Sequence, residues 1–327
     1  MNSVRQETIE LSGELNEEQT DAVIKIEAEL LRGARAYFDA NGFTEVVVPH
    51  ITRATGSCEN MDTLFGLDFF GRQAYLRQTG QLYLESFVPR LGRVFCVGPS
   101  FRAEPSVDER HLTEFTLVEI ELPCDLNELM SHIEGTIFSM VQFILKNKQK
   151  EMELLGIDKK RLQDISIPFK KITYEHAIDL LGLEFGADLK SKDEEKLVEH
   201  FGNKPLFVTH YPKEIKFFNM RKNKDKPEVV NSTDLLLPHS GEAVGSAERE
   251  HEHDELVSRL KTSYMFKQLQ KKGGTLEDFS WYLDVLKKGS IPHAGCGFGL
   301  NRITQFILGT KDIRHSTAFP QNKERLI

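Results

Sequence analysis

The chain has 327 residues, of which 39% are hydrophobic and 28% charged, and its formal net charge is −8. This length is sufficient for one large domain, while the negative charge means that the surface as a whole does not attract a phosphate backbone. DNA binding is therefore not expected. With no apolar run as long as a membrane span and no leader after Met1, the sequence is typical of a soluble, cytoplasmic protein without a membrane partner.

The chain begins with a predicted helix and a short predicted strand. Apolar residues at helical spacing indicate an amphipathic helix over residues 16–41, with Gly42 in the position of a C-terminal cap. A β-branched run over residues 44–48 indicates a buried strand that ends at Pro49, because proline cannot donate to a ladder.

Two further strands are predicted over residues 93–97 and 116–122, where the residues are apolar or alternating. The segment between them, residues 102–114, is expected to connect an antiparallel hairpin.

The rest of the chain predicts a helical stretch, two strands and a final helix. Residues 126–200 are charged and rich in predicted helix, and the run KNKQKEMELLGIDKKR within them is expected to be a solvated helical insertion. Strands are predicted over residues 206–209 and around 229–237, and a helix over about 300–308. Because we find no repeat and no Pro- or Ser-rich linker, one domain over residues 1–327 is the simplest interpretation.

Four cysteines, Cys58, Cys96, Cys124 and Cys296, lie far apart and show no CxxC spacing. This pattern argues against a zinc knuckle and against a disulfide framework, and it favours reduced thiols.

Two arginines more than half the chain apart have settings that suit a triphosphate. Arg102 lies in FRAEPSVDERHLTEF and Arg302 in HAGCGFGLNRI. A guanidinium group binds two phosphate oxygens at once and stays charged at any working pH. Gly295, Gly297 and Gly299 precede Arg302 at alternate positions, which lets backbone approach a ligand closely. The two segments together predict a nucleotide site, whereas the first segment alone also fits a surface hairpin with ordinary ion pairs.

These segments differ from the common nucleotide-binding motifs. The chain has no Walker lysine motif, and alternate glycines in a strand are unlike a Rossmann turn, so a dinucleotide-binding fold is not expected.

Three ordered motifs resemble the catalytic domain of a class II aminoacyl-tRNA synthetase, specifically the asparaginyl branch of the aspartyl/asparaginyl group. The helix and strand ending at Pro49 resemble motif 1, FRAEPSVDERHLTEF resembles motif 2, and HAGCGFGLNRITQFILGTKDIRHSTAFP resembles motif 3. Further similar blocks are LRQTGQLYLE, PLFVTHYPKEIKFFNMR and TDLLLPHSGEAVGSAEREHEHDEL. The resemblance implies an α+β fold, with a mostly antiparallel sheet flanked by helices, and a homodimer formed through the motif 1 region.

The same resemblance implies an ATP site. Arg102 would contact the α-phosphate and the substrate carboxylate, and Arg302 would contact the γ-phosphate of a bent ATP, which makes these two the expected catalytic residues. Glu104 and Phe115 would contact the adenine. The other implied ATP-binding residues are Arg110, His111, Leu112, Glu242 and Gly299.

Two of the implied site residues are candidate metal ligands. Glu242 and Asp234 match carboxylates that hold Mg²⁺ near the phosphates, and hard oxygen ligands suit that ion. A solvated acid in an acidic protein is the competing interpretation for each of them.

The implied amino-acid pocket includes Arg102 and a set of polar side chains. Glu59 aligns with the acid that holds the substrate α-amino group, and Gln78 and Gln81 line the pocket. Glu119 matches the asparaginyl branch, and its carboxylate would favour an amide NH₂ over a second carboxylate. The pocket is therefore expected to resemble that of an asparagine-binding protein.

Several positions depart from that branch near the substrate. Lys287 stands in the stretch where the branch has an arginine, Asn219 replaces the usual tyrosine, and Asn301 replaces the acid before the motif 3 arginine. The GGS that usually follows Glu242 has become GSA. We therefore predict that Lys287 and Asn219 contribute to an altered amino-acid or amine site while adenylation is retained.

Three functions fit this pattern. The first is an AMP-forming ligase that activates aspartate, asparagine or a close analogue as an acyl adenylate and transfers it to an amine such as ammonia. The second is an asparaginyl-tRNA ligase without its own anticodon domain, and the third is a non-catalytic regulator that binds an amino acid or nucleotide. Only about fifteen residues precede the predicted catalytic helix, where the family normally has an anticodon-reading β-barrel of ordinary domain size. The architecture thus resembles a free-standing archaeal paralogue that makes asparagine, and the first function is expected in preference to the use of tRNA.

Overall fold

A mostly antiparallel sheet organises the fold. The structure, a computed structural model, describes residues 11, 13–53 and 61–327, except for the side chain of Met61. The strands are β1 (Thr44–Glu45), β2 (Ile51–Thr52), β3 (Gly66–Asp68), β4 (Gln73–Leu76), β5 (Val94–Phe101), β6 (Glu114–Leu122), β7 (Lys170–Thr173), β8 (Leu206–Thr209), β9 (Ser232–Leu237), β10 (Gly241–Glu248) and β11 (Ala294–Gly299). In the described part of the chain an eight-stranded sheet has the order β1-β5-β6-β11-β10-β9-β8-β7, and β2-β4-β3 form a small second sheet. Within the large sheet β1 pairs with β5 in parallel and β7 pairs with β8 in parallel, and the other pairs are antiparallel.

Helices connect the strands and cover the sheet. They are α1 (Glu17–Ala40), α2 (Gln81–Glu85), α3 (Val88–Leu91), α4 (Leu126–Asn147), α5 (Gln149–Leu154), α6 (Lys159–Gln163), α7 (Tyr174–Leu181), α8 (Ser191–His200), α9 (His253–Thr262), α10 (Tyr264–Lys271), α11 (Ser280–Gly289) and α12 (Leu300–Leu308). Within the described ranges, none of them combines the length and the apolar character that a membrane crossing requires.

The long first helix forms as its sequence pattern predicts. Asn16 caps α1, because its Oδ1 accepts from the backbone N–H of Gln19 at 2.9 Å while the Gln19 side chain accepts from Asn16 N. The buried face of α1, with Val23, Ile26 and Leu30, packs in the main core together with α4 and the large sheet. The predicted helix over residues 16–41 is confirmed, and Gly42 follows with φ +73°.

The central strand β6 divides the core from the site. Val118 and Ile120 point into the core, where they are completely buried against apolar side chains. Leu117, Glu119 and Glu121 alternate with them and line a cavity on the opposite face. One face of the sheet is therefore structural and the other is available to a ligand.

The predicted solvated insertion is wrong. Within the run KNKQKEMELLGIDKKR, Met152, Leu155 and Ile157 are buried in the main core beside α4. The apolar residues of this run recur at helical spacing, so that the helices hide them while the many charged residues face water. The run is thus part of the structural core, and the wider stretch of residues 126–200 also contains the strand β7.

The predicted strand over residues 44–48 is shorter in the structure. Only Thr44–Glu45 pair as β1, and one further hydrogen bond joins Val46 N to Phe95 O at 2.7 Å. Val47 is 97% exposed, and Pro49 has no N–H to extend the ladder. The β-branched composition therefore predicts a longer strand than the structure contains.

Candidate active site

A cavity of about 610 Å³ opens above the strands β6, β10 and β11. The loop between β5 and β6, the start of α8 and the start of α12 also contribute side chains to its lining. Arg102 and Arg302 both line this cavity. The structure thus brings together the two arginines that the sequence singles out.

The alternate glycines of β11 make room for side chains of the neighbouring strand. In the antiparallel register Gly295 pairs with Glu121 and Gly297 pairs with Glu119. A Cβ atom on Gly295 would lie only 2.0 Å from Cδ of Glu121, whereas one on Gly297 would lie 3.7 Å from Cγ of Glu119. Glycine at position 295 is therefore required by the close approach of a carboxylate, which explains part of the glycine pattern.

The two arginines are held by different contacts. Arg302 donates from Nη1 to the carbonyl oxygen of Ser240 at 2.5 Å and from Nη2 to the carbonyl oxygen of Arg110 at 2.8 Å. Burial, together with the nearby Arg110, lowers the pKa of Arg302 to about 10, so the group still carries its charge at neutral pH. The guanidinium carbon of Arg102 lies 5.1 Å from the centre of the Phe115 ring, within the range of a cation–π contact.

A carboxylate from α8 lies near Arg110 and Arg302, at the cationic end of the cavity that these arginines line. Oε2 of Glu194 accepts from Nη2 of Arg110 at 2.7 Å and from the backbone N–H of Glu242 at 3.3 Å. Burial raises the pKa of Glu194, although the charge of Arg110 opposes this shift. Glu194 was not predicted, because it lies in the charged, helix-rich stretch of residues 126–200 and no local motif marks it.

Asp234 and Glu242 border a shared space at the same end. A Cβ atom on Gly245 would lie 3.9 Å from Oδ1 of Asp234 and 2.9 Å from Oε1 of Glu242, so the bare glycine keeps this space open. Burial raises the pKa of Asp234 to about 7, and its hydrogen-bonded neighbour Lys216 opposes the shift. In the described part of the chain, no cluster of three or more His, Cys, Asp or Glu side chains could hold a metal. Mg²⁺ is commonly held by one or two carboxylates plus phosphates and water, so the pair fits Mg²⁺ bound with a nucleotide.

Glu119 forms the polar floor of the other end of the cavity. Its carboxylate accepts from Gly80 N at 2.8 and 3.0 Å, from the Thr79 hydroxyl, and from Cys96 Sγ at 3.6 Å. A Cβ atom on Gly80 would lie 2.8 Å from Nη1 of Arg77 and 3.0 Å from Oε2 of Glu119. The absence of a side chain at position 80 therefore lets backbone fix the carboxylate in place.

A buried ion pair lies two residues further along β6. Arg249 donates from Nη2 to Oε1 of Glu121 at 2.6 Å and from Nε to the same oxygen at 3.0 Å. Burial raises the pKa of Glu121 to about 7, against the opposing charge of Arg249. Both residues line the cavity, yet neither was predicted, although the alternation of side chains along a strand places Glu121 on the same face as Glu119.

Most of the predicted site residues lie in this one cavity. Those that line it are Arg102, Arg110, His111, Leu112, Phe115, Gln81, Glu119, Asp234, Glu242, Gly299 and Arg302. They come from elements spread over the sequence. The arrangement places every predicted ATP residue except Glu104, and three of the predicted amino-acid residues, Gln81, Arg102 and Glu119, around one space.

Four predicted residues lie elsewhere, and one lies outside the described residues. Glu104 is half-buried in the turn after Arg102. Gln78 is completely buried and does not line the cavity, and its Nε2 donates to Oγ1 of Thr63 at 3.0 Å. Asn219 is completely buried but is not part of the lining, and Lys287 is exposed on α11. The structure therefore does not place Lys287 against a substrate in the cavity, because its position on α11 faces solvent. Glu59 lies outside the described residues.

The arrangement suits a reaction between an anion-rich ligand and a zwitterion. Arginines occupy one end of the cavity, and a fixed carboxylate occupies the other. Phosphates would bind the cationic end, while an ammonium or amide NH₂ group would donate to the carboxylate. Such a site positions two reactants and stabilises developing charge without needing a side-chain nucleophile.

Known proteins are similar to this chain in sequence and in fold. The family described as tRNA synthetases class II (D, K and N) matches residues 10–323. The chain is 39% identical over 313 residues to the asparagine–tRNA ligase of Thermococcus kodakarensis, a match that covers 93% of this chain and 70% of that protein. It is 37% identical over 308 residues to the asparagine–tRNA ligase of Desulforamulus reducens, with 92% and 69% covered.

Solved structures of synthetases have a similar fold. The asparaginyl-tRNA synthetase of Pyrococcus horikoshii complexed with asparaginyl-adenylate superposes with a TM-score of 0.86 at 36% identity, covering 94% of this chain and 70% of that one. The asparaginyl-tRNA synthetase of Entamoeba histolytica in complex with asparaginyl-adenylate gives a TM-score of 0.82 at 30% identity, covering 99% and 75%. The predicted α+β fold is confirmed, and ATP is the nucleotide implied by the family. By sequence and by fold, the chain belongs to the class II aminoacyl-tRNA synthetases, among the homologues of asparaginyl-tRNA synthetase.

Proposed function

We propose that this protein activates asparagine with ATP as asparaginyl adenylate and then transfers the asparaginyl group to tRNA. The observation that carries the proposal is the position of Glu119 in the same cavity as Arg102 and Arg302. A donor on the amino-acid side chain would meet a carboxylate, while the phosphates of ATP would meet the two guanidinium groups.

The proposed reaction is an in-line displacement at phosphorus. An oxygen of the substrate α-carboxylate attacks the α-phosphorus of ATP, and the bond from that phosphorus to the bridging oxygen breaks as pyrophosphate leaves. Arg102 would neutralise charge at the α-phosphate, and Arg302, fixed by two backbone carbonyls, would hold the γ-phosphate. Mg²⁺ held by Asp234 and Glu242 would supply further positive charge beside the phosphates.

The floor of the cavity favours asparagine over aspartate. Glu119 is held by the backbone of Gly80 and the hydroxyl of Thr79, so its carboxylate cannot turn away from a repelling substrate. An amide NH₂ can donate to this carboxylate, whereas a second carboxylate can only repel it unless one of the two is protonated. The nearby cation of Arg249 is already paired with Glu121 and offers little compensation.

The proposed acceptor is tRNA, which differs from the amine expected from the sequence. The similar curated proteins are named as asparagine–tRNA ligases, and the chain matches them over most of its length. Among the described residues, none that lines the cavity favours ammonia as the acceptor. Lys287 was expected to contribute to an amine site, but its exposed position does not support that role. A homodimer through the motif 1 region stays a prediction, which light scattering would check.

Exchange of labelled pyrophosphate into ATP tests the first step. We expect exchange with asparagine and much less with aspartate, and no exchange with any amino acid would instead favour a non-catalytic regulator. The second step is then followed by adding tRNA or ammonia and identifying the product. Product formation with ammonia and none with tRNA would replace the proposed acceptor.

A substitution at the floor tests the basis of selectivity. Glu119→Gln should reduce the preference for asparagine over aspartate about tenfold or more, the scale of one hydrogen bond to a charged group. The matched control is Glu134→Gln, because Glu134 is also buried and accepts a backbone N–H, from Phe169 at 2.9 Å, but does not line the cavity. An unchanged preference in Glu119→Gln would contradict the assignment of the pocket.

A further inference from the structure

A buried hydrogen-bond network lies behind Gln81, which lines the cavity. Nε2 of Gln81 donates to Oε1 of Glu85 at 2.6 Å, one turn further along α2. Oε2 of Glu85 accepts from Oη of Tyr282 at 2.6 Å and lies 3.3 Å from Nε2 of His293. Glu85, Tyr282 and His293 are all buried and none of them lines the cavity. They can therefore affect a bound substrate only through other residues.

The contacts of His293 define the charge state of the network. Nδ1 of His293 lies 2.7 Å from the carbonyl oxygen of Ile291, which can only accept, so Nδ1 carries a proton. Nε2 lies 3.3 Å from Oε2 of Glu85, so the pair is either an imidazolium with a carboxylate or a neutral imidazole with a carboxylic acid. Oε2 of Glu85 also accepts from Tyr282, and this second donor favours the ionised carboxylate and therefore the imidazolium.

The pKa shifts agree with this assignment. Burial lowers the pKa of His293, but the hydrogen bond and charge of Glu85 outweigh burial and raise it. Burial likewise opposes ionisation of Glu85, but His293 and Arg249 lower its pKa overall. The other charged group that acts on the pair is Glu121, and the backbone N–H of Arg249 donates to the carbonyl of His293 at 2.9 Å.

An ionised Glu85 decides which way the Gln81 amide is oriented. A carboxylate accepts and cannot donate, so only the NH₂ end of the amide can face it. The carbonyl end, Oε1, is then directed away from Glu85 as an acceptor. If Glu85 were neutral, its own proton could be donated to Oε1 and the amide could reverse. The charge state of a buried residue therefore sets whether Gln81 offers an acceptor or a donor to its surroundings.

We propose that Glu85, Tyr282 and His293 are positioning residues that fix the amide orientation of Gln81, so that Gln81 presents an acceptor to the amino-acid substrate. This inference rests on the proposed function, because it concerns the amino-acid end of the same cavity. Gln81 N also bonds Oγ1 of Thr79 at 3.0 Å, and Thr79 in turn bonds Glu119, so the two substrate-facing groups are held side by side. A substrate amine or amide would then meet two acceptors.

A double-mutant cycle distinguishes positioning from general structural support. Glu85→Gln keeps the size of the side chain but removes the charge that orients the amide. In pyrophosphate exchange we expect its KM for asparagine to rise about tenfold, while the KM for ATP is unchanged. In a Gln81→Ala background the same substitution should add nothing further, because the residue through which it acts is gone.

Tyr282→Phe provides a milder second variant. It removes one hydrogen bond to Glu85 and should raise the KM for asparagine by a smaller factor than Glu85→Gln. Its matched control is Tyr174→Phe, because Tyr174 is also completely buried and donates through Oη, to Ala187 O at 2.6 Å, but packs in a different cluster. Thermal unfolding of each variant identifies any loss of folded protein.

The outcomes separate this inference from the proposed function. If the unaltered protein shows no exchange with asparagine, the proposed function fails. If it is active but the variants at Glu85 and Tyr282 leave the KM for asparagine unchanged, the positioning role is wrong. It is also wrong if Glu85→Gln raises that KM equally with and without Gln81, or raises the KM values of asparagine and ATP in the same proportion.

Discussion

Nζ of Lys216 lies 2.6 Å from Oδ2 of Asp234, and both side chains are largely buried beside the cavity. The ammonium also lies 4.0 Å from the centre of the Tyr211 ring. Burial lowers the pKa of Lys216, but the charge of Asp234 outweighs burial and the pKa is raised overall. Asp234→Asn should cost about 3–5 kcal/mol of unfolding free energy, because it leaves a buried cation without its counter-ion. Urea unfolding measures this loss. The double variant with Lys216→Met should recover most of it, and no recovery would contradict the pairing.

A substitution of Glu242 tests the predicted metal site without a large loss of stability, because its side chain is exposed. Glu242→Gln removes a charged oxygen ligand from the space next to Gly245, so the Mg²⁺ concentration for half-maximal pyrophosphate exchange should rise about tenfold. The free energy of unfolding should be unchanged. The matched control is Glu228→Gln, an exposed acid that does not line the cavity. A Mg²⁺ dependence equal to that of the control would remove Glu242 from the metal site.

Arg302 and Arg161 form a matched pair of partly buried arginines. Both have pKa values lowered by burial to about 10, and Arg161 donates to Ile307 O at 2.9 Å on the helix that carries Arg302. Only Arg302 lines the cavity. Arg302→Lys loses the fork that contacts two carbonyls, and we expect pyrophosphate exchange to fall about 10²–10³-fold with a higher KM for ATP. Arg161→Lys should change stability and leave exchange nearly unaltered, and equal losses of exchange would show that the effect is not specific to ATP.

Local patterns in the sequence predict the parts of the fold that local interactions determine. The helix over residues 16–41 is recognisable because its apolar stripe and its cap at Asn16 lie within one continuous segment. The hairpin of β5 and β6 is likewise formed by neighbouring segments. Arg102 and Arg302 were found because each lies in a distinctive motif.

The remaining site residues depend on contacts between distant segments. Glu194 reaches Arg110 across 84 positions, and Lys216 reaches Asp234 only after β9 has taken its place in the sheet. Glu121 resembles any charged residue near the end of a strand until the register with β11 places it opposite Gly295. No local pattern in the sequence marks these pairs. Lys287 was expected at the substrate because DVLKKG stands where the family has an arginine, but Tyr282, Leu283 and Leu286 occupy the buried face of α11 and Lys287 is exposed.

Gly295 and Gly297 differ in how much space they leave, although both lie on β11 opposite a glutamate. Gly295→Ala would place a Cβ atom 2.0 Å from Cδ of Glu121 and disturb its ion pair with Arg249. We expect a loss of about 1–3 kcal/mol in unfolding free energy, the usual effect of overpacking, or more if the ion pair breaks. Gly297→Ala meets only an ordinary contact at 3.7 Å and should cost less than about 1 kcal/mol. Equal losses in urea unfolding would show that space opposite the glutamates is not the reason for glycine.

The raised pKa of His293 predicts how stability changes with pH. The folded protein binds this proton more tightly than the unfolded chain, so the stabilisation is complete below the ordinary value of 6.5 and is lost as pH rises through the raised pKa. Unfolding free energy should therefore decrease between pH 6.5 and about 8, by at most about 1.4 kcal/mol per pH unit for this proton.

His293→Gln isolates this contribution, because glutamine can still donate to Glu85 but carries no titrating proton. Glu121 and Asp234 have pKa values raised by burial to about 7, and both give a slope of the same sign in either protein. Urea unfolding at several pH values should show a flatter dependence in the variant over this window. The measurements stop near pH 8, because above this pH the cysteine thiols of the unfolded chain begin to ionise. Identical slopes in the two proteins would mean that folding leaves the pKa of His293 unchanged, and a steeper decrease in the variant would mean that His293 is neutral in the folded state; either result would contradict the imidazolium.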